Sequence, residues 1–118
     1  IGSFQAVKHM LAQAAIEIEF SKATLYRAAY SLDNDNPLQK LHAAQAKLQA
    51  IDACEMASRN SMQAHGAMGY TWAMDLHIFI RRGWSYKQVW GNKSLLENYI
   101  MNQLEKDLPK LGSTYTFL

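Results

Sequence analysis

The chain has 118 residues, about half of them apolar, which is enough for one domain with a modest core that needs neither disulfides nor a metal. Twelve basic and ten acidic residues leave a net charge of +2 and are scattered, so no block of like charge marks a nucleic-acid stripe or a polybasic membrane anchor. No apolar run approaches the roughly 18 to 20 residues of a membrane span, and the N-terminus lacks the charged, apolar and small-residue order of a signal peptide.

The single cysteine, Cys54, lies among Ala53, Glu55 and Met56. It excludes an intramolecular disulfide framework and suits a reducing compartment, bacterial cytoplasm or equivalent. With no helix N-terminus or basic cluster beside it, it reads as a buried structural thiol. The chain opens on Ile1-Gly2-Ser3 without an initiator methionine, as if cut from something longer.

From Ser3 the apolar residues Phe4, Val7, Leu11, Ala14, Ile18, Leu25, Ala29 and Leu32 recur at helical spacing, with Ser3 as a natural N-cap. The helix is expected to stop at the turn-forming run Asp33 to Asn36 ahead of Pro37. Asn36 then caps a second helix with Pro37 at its first position, built on Leu38, Leu41, Ala44, Leu48, Ile51, Met56 and Met62. The short connection makes the two helices antiparallel, and their alanines permit close approach. Gly66 and Gly69 end the second helix. A third, shorter helix follows around Met74 to Trp84 with Leu76, Phe79 and Ile80 as its stripe, and after a break at Gly91-Asn92 a fourth runs from about Lys93 to Asp107, stopped by Pro109 and Gly112. No stretch alternates with period two. The expected fold is all-α, an antiparallel up-down four-helix bundle forming one domain over residues 1–118, with the last five residues as a loose or partner-docked tail.

The four histidines offer no pair at helical zinc spacing, and neither Cys-x-x-Cys nor His-Glu-x-x-His occurs, so no metal is expected. Glu17 and Glu19 point about 200° apart on a helix and cannot face each other. Asp52 and Glu55 share a face beside Lys47 or Arg59 and read as an ion-pair surface. Arg81 and Arg82 suit either helix-end salt bridges or the grip of a phosphate or carboxylate. The run Gln63-Ala64-His65-Gly66-Ala67-Met68-Gly69 puts backbone and one side-chain amide where glycines let a partner come close, although glycine at a helix end is first of all a C-cap.

Three strings go further: IGSFQAVKHMLA at the start, AKLQAIDACEMASRNSMQAHGAMGYTWAMDLHIFIRR in the middle, and GNKSLLENYIM near the end. They resemble the C-terminal helical domain of acyl-CoA dehydrogenases over nearly the whole chain. Gln63 to Thr71 resembles that family's Gln-x-His-Gly-Gly-x-Gly-Tyr-Thr motif, with Ala67 in place of its second glycine, and Arg81 matches the arginine that follows.

The resemblance implies an oligomeric FAD enzyme, homo- or hetero-oligomeric, dimeric or tetrameric, acting on an acyl-CoA substrate. It implies a flavin contact at Gln63, Ala64, His65, Gly66 and Ala67, directed at FAD held mainly by a neighbouring subunit. It implies further flavin-contacting positions at Phe4 and Gln5, which match the family's Phe-Gln or His-Gln pair, and at Asn92.

Counting from Arg81, the family's Tyr-Glu-Gly-Thr falls on Val89, Trp90, Gly91 and Asn92. Trp90 therefore stands where the resemblance places the glutamate base, and tryptophan cannot accept a proton. Three branches of the family fit that reading. In one the base lies on a helix that would precede Ile1; in another a glutamate-less subunit pairs with a catalytic one; in the third the fold serves a flavin monooxygenase. The chain by itself is expected to be inactive.

Overall fold

The computed structural model describes residues 1–106, which form four α-helices: α1 (Gln5–Asp33), α2 (Gln39–His65), α3 (Leu76–Gln88) and α4 (Lys93–Lys106). A 3-10 turn, Gly66–Tyr70, follows α2 directly. No strand occurs among the described residues, and the all-α reading holds. None of the helices is long and apolar enough to cross a membrane. The expected stop signals at Pro109 and Gly112 and the tail 114–118 lie outside the described residues.

Helix α1 begins one residue later than Ser3 predicts. Phe4, in extended conformation, holds the N-cap position, and no side chain caps the helix. At the other end Asp35 adopts φ +49°. The Asn36 N–H reaches back to the Ser31 carbonyl (2.9 Å) and the Asp35 N–H to the Leu32 carbonyl (3.4 Å), a Schellman closure made without glycine. Asn36 then works in the turn ahead of α2: its Oδ1 accepts from the Leu38 N–H at 2.8 Å. Pro37 and Leu38 occupy that turn, and α2 starts two residues beyond the position predicted for it.

Helices α1 and α2 lie antiparallel, pinned at both ends. Asn60 Nδ2 donates to the Met10 carbonyl (2.7 Å) near one end, Gln49 Nε2 to Glu17 (3.0 Å) midway, and Arg27 and Ser31 meet His42 at the other. The residues of α1 withdrawn from solvent are Val7, Met10, Ala14, Glu17, Ser21, Thr24, Ala28 and Ser31. Their spacing alternates three and four, the seven-residue repeat of helices packed at a shallow angle. Most are small, so the backbones come close and the large apolar residues are displaced to the flanks. This corrects the predicted stripe: Phe4, Leu11, Ile18, Leu25 and Leu32 are exposed, by 64, 51, 38, 57 and 65%.

Helix α2 is the centre. It packs against α1, α3, α4 and the 3-10 turn, and it buries His42, Ala46, Ala53 and Asn60 along the α1 seam and Ala44 and Ile51 elsewhere. Ala44 and Ile51 form the core with Leu96 of α4, and Tyr99 and Ile100 close over it. Two ion pairs tie the outer helices to α2: Glu55 with Lys87 of α3, and Asp52 with Lys93 of α4 at 2.5 Å. The sequence placed Asp52 and Glu55 beside Lys47 or Arg59; the tertiary fold pairs them with α3 and α4 instead. The Lys87 ammonium holds the Glu55 carboxyl below its ordinary range, and Asp52 holds Lys93 above its own.

Helix α3 starts and ends later than predicted. Ile80 is buried and Leu76 half-buried, but Phe79 is 71% exposed, because one turn of α3 touches α2 and the next residue round points outward.

Candidate functional site

The motif from Gln63 to Ala67 closes α2. Gly66 takes φ +58° and ψ −142°, a conformation essentially confined to glycine, and its N–H donates to the Gln63 carbonyl. A β-carbon there would meet nothing within 4 Å, so the backbone stands open to an approaching group. Gln63, His65, Gly66 and Ala67 are exposed and Ala64 is half-buried. His65 donates Nδ1–H to the Ser61 carbonyl at 2.7 Å, which turns Nε2 outward. Ala67 has a negative φ, as replacement of a glycine requires. Gly69 serves differently: it is buried, and a β-carbon would sit 3.0 Å from the Met62 carbonyl and 3.2 Å from His65 Cβ.

Phe4 and Gln5, both exposed, lie at the start of α1. The antiparallel pairing through Asn60 and Met10 brings them to the same end of the α1–α2 hairpin as Gln63. Asn92 is elsewhere. It is the N-cap of α4, its Oδ1 accepting from the Leu95 N–H at 3.0 Å. The segment before it is held by Lys47, whose ammonium donates to the Tyr86 carbonyl (2.9 Å) and the Val89 carbonyl at the open end of α3. Lys47 precedes Gln63 by sixteen residues, or about 24 Å of helix. Within one chain, Asn92 and Trp90 are thus apart from the motif.

Trp90 takes φ +58° and is 90% exposed, with the Lys47 ammonium 6.0 Å from its ring centre. A bulky residue in the left-handed region is uncommon. Gly91 follows at φ +111°. Beside them an apolar cleft of about 300 Å³ opens between α2 and α3, lined in part by Ile51, Cys54, Tyr86 and Val89. Cys54 is half-buried, not sealed in as predicted, because it lines this cleft.

A second cluster was not legible in the sequence. Arg81 lays its guanidinium 4.7 Å from the centre of the Trp72 ring. Trp72 meets His77 edge-on, ring centres 4.5 Å apart, and Arg81 Nη2 donates to His77 Nδ1 at 3.3 Å. Arg82 similarly lies over Tyr86 and donates to its hydroxyl. Spacing left both arginines open to helix-end salt bridges or to the grip of a phosphate or carboxylate; within the described residues the fold provides aromatic stacking. Only the i to i+4 separation of His77 and Arg81 hinted at their meeting. No group of acidic, cysteine and histidine side chains suited to a metal occurs among the described residues.

The sequence matches the family model of the acyl-CoA dehydrogenase C-terminal domain over residues 1–107. The chain belongs to the acyl-CoA dehydrogenase family. It is 31% identical over 110 residues to acyl-CoA dehydrogenase IpdE2 of Mycobacterium tuberculosis, covering 92% of this chain and 31% of that protein. It is 37% identical over 83 residues to acyl-CoA dehydrogenase FadE34 of the same organism, covering 70% and 12%. Glutaryl-CoA dehydrogenase of Desulfococcus multivorans shares 31% identity over 100 residues, covering 85% and 26%. The chain therefore spans about a third or less of the length of these relatives.

For an acyl-CoA dehydrogenase C-terminal domain, the geometry has one clear consequence. The residues the resemblance assigns to flavin do not converge on one enclosed pocket within this chain. They lie at two exposed places at different heights along α2.

Proposed function

We propose that this chain is the C-terminal bundle of an FAD-dependent acyl-CoA dehydrogenase-like enzyme, that it supplies a subunit interface and one edge of the FAD site, and that the α-proton base comes from elsewhere. The observation that carries the reading is the end of α2: Gly66 open to solvent at φ +58°, flanked by exposed Gln63 and His65, in a chain of this family. The residues fit the group as an edge and not as a holder. Gly66 lets backbone approach a flat or bulky ligand closely, and the Gln63 amide offers both a donor and an acceptor. The carbonyls ending α2 disfavour an anion. A pyrophosphate contact would therefore rest on the Gln63 amide and backbone N–H groups, with its main anchor on a neighbouring subunit.

FAD, when bound, would accept the hydride leaving the β-carbon of an acyl-CoA thioester. What this chain contributes is binding and exclusion of water at the subunit boundary. Trp90 cannot accept a proton at the position matching the family's glutamate, so abstraction of the α-proton is not assigned to any described residue. That absence also favours a second reading, in which the chain belongs to a catalytically silent subunit of a heteromeric dehydrogenase.

The full-length protein is expected to purify yellow and to lose FAD on Gln63→Ala. Colourless protein that takes up no added FAD would overturn the flavin reading. Turnover of acyl-CoA by the homogeneous full-length protein separates the two alternatives, since a silent subunit stays inactive until its partner is added.

A further inference from the structure

The three ion pairs among the described residues all use lysine: Lys22 with Glu19, Lys87 with Glu55, Lys93 with Asp52. Arg59, Arg81 and Arg82 have no carboxylate within salt-bridge reach there, and α3 carries Arg81, Arg82 and Lys87 without one acidic residue. Arg81 is also pre-oriented. Stacking on Trp72 occupies the face of its guanidinium and leaves the in-plane N–H fork, of which one donor reaches His77.

That fork stands over a cleft of about 330 Å³ between the 3-10 turn and α3, and a second cleft of about 290 Å³ adjoins it. Met62, Ile80 and Trp84 are common to both, giving an apolar floor, and Arg59 stands on the far side. Tyr70, Trp72 and Trp84 are exposed by 76, 77 and 61%. Tryptophan, tyrosine and arginine around an apolar centre are the residues that dominate protein–protein binding energy. The cleft is broad, with its aromatic walls in water, which suits a polypeptide rather than an enclosed small molecule.

We propose that this cleft docks an acidic, apolar segment of a second subunit, one aspartate or glutamate forked onto Arg81 and a neighbouring aliphatic or aromatic side chain seated on Trp84 between Met62 and Ile80. The charge complementarity selects the occupant: a cationic, aromatic surface whose lining carboxylate, Glu55 in the second cleft, is already paired with Lys87 takes an acidic partner at Arg81. The proposal rests on the reading of this chain as part of an oligomeric enzyme, and it assigns the surface used.

The test uses the full-length protein. Arg81→Met is expected to weaken subunit association about tenfold or more, measured by sedimentation as a dissociation constant, and Arg81→Lys to weaken it less, since charge survives without the planar fork. A benzophenone-bearing residue in place of Tyr70 should crosslink to an Asp- or Glu-containing peptide of another subunit, identified in mixtures of isotope-labelled and unlabelled protein. Unchanged association in both Arg81 variants with native circular dichroism overturns the proposal, as do crosslinks confined to one polypeptide. If Arg81→Met misfolds, the crosslink decides. Colourless protein that still assembles through Arg81 defeats only the flavin reading; yellow protein whose assembly ignores Arg81 defeats only the docking surface.

Discussion

Gly83 of α3 sits directly against Cys54 of α2: a β-carbon at position 83 would lie 2.5 Å from Cys54 Sγ. The glycine in the middle of α3 is therefore the contact that lets the two helices cross closely. Glycine costs a helix interior about 1 kcal/mol relative to alanine, so its presence is explained only by that contact. Gly83→Ala is expected to destabilise the bundle by about 1 kcal/mol, the clash outweighing the gain in helix propensity. In a Cys54→Ala background the same change should become stabilising by about 0.5 to 1 kcal/mol. Equal effects in the two backgrounds, measured by urea unfolding, would show that the crossing does not depend on this pair.

His42 joins α1 to α2 at the turn end of the hairpin. Arg27 Nε donates to its Nε2 at 3.2 Å, so the ring is neutral with its proton on Nδ1, which donates to Ser31 Oγ at 2.6 Å. Burial first, and the Arg27 charge second, push its pKa below the ordinary value of 6.5. Between the two values the unfolded chain binds a proton that the folded chain refuses. Stability is expected to fall as pH drops through 6.5 and to level off once folded His42 also charges. Unfolding of wild type and His42→Gln from pH 8 to 5 compares the slopes. A variant with the same slope as wild type would place the titration elsewhere.

Gly66 is held at φ +58°, ψ −142°, with nothing within 4 Å of where a β-carbon would sit. Gly66→Ala is thus purely a backbone test: it should cost about 1 to 3 kcal/mol of stability without a steric clash. In the full-length protein it should also reduce bound FAD, because the chain after α2 must leave in another direction. Full retention of flavin with lowered stability would separate the turn's structural role from any part in the cofactor site.

Trp90 combines φ +58° with almost complete exposure. Asparagine tolerates that backbone better, so Trp90→Asn should stabilise the bundle by up to about 1 kcal/mol, less the weak contact with Lys47. A loss of stability would mean that the ring is buried against a surface outside residues 1–106. Trp90→Glu in the full-length protein tests the register set by Arg81. New or raised acyl-CoA turnover is expected if position 90 faces the substrate, and unchanged turnover would argue that it does not.

The sequence alone determined the four helices, their antiparallel start and the polar break after α2, because those follow from local periodicity, from Pro37 and from the glycines at 66 and 69. Its motif also marked Gln63 to Ala67, and Gly66 takes the cap conformation that only glycine holds at ease. The order of α1's faces was beyond it. Apolar spacing favoured Leu11, Ile18 and Leu25 as core along with Ala14, while close packing on α2 kept Ala14 and selected the small residues Ser21, Thr24 and Ala28 in place of the large ones. Which cation meets which partner was likewise decided by the tertiary fold. Glu55 and Lys87 are 32 residues apart and Lys47 reaches Val89 across 42, distances along the chain that no local pattern encodes. Arg81 shows both sides: its place in the sequence pointed to Trp90, but only the packing of the 3-10 turn against α3 put Trp72 under its guanidinium.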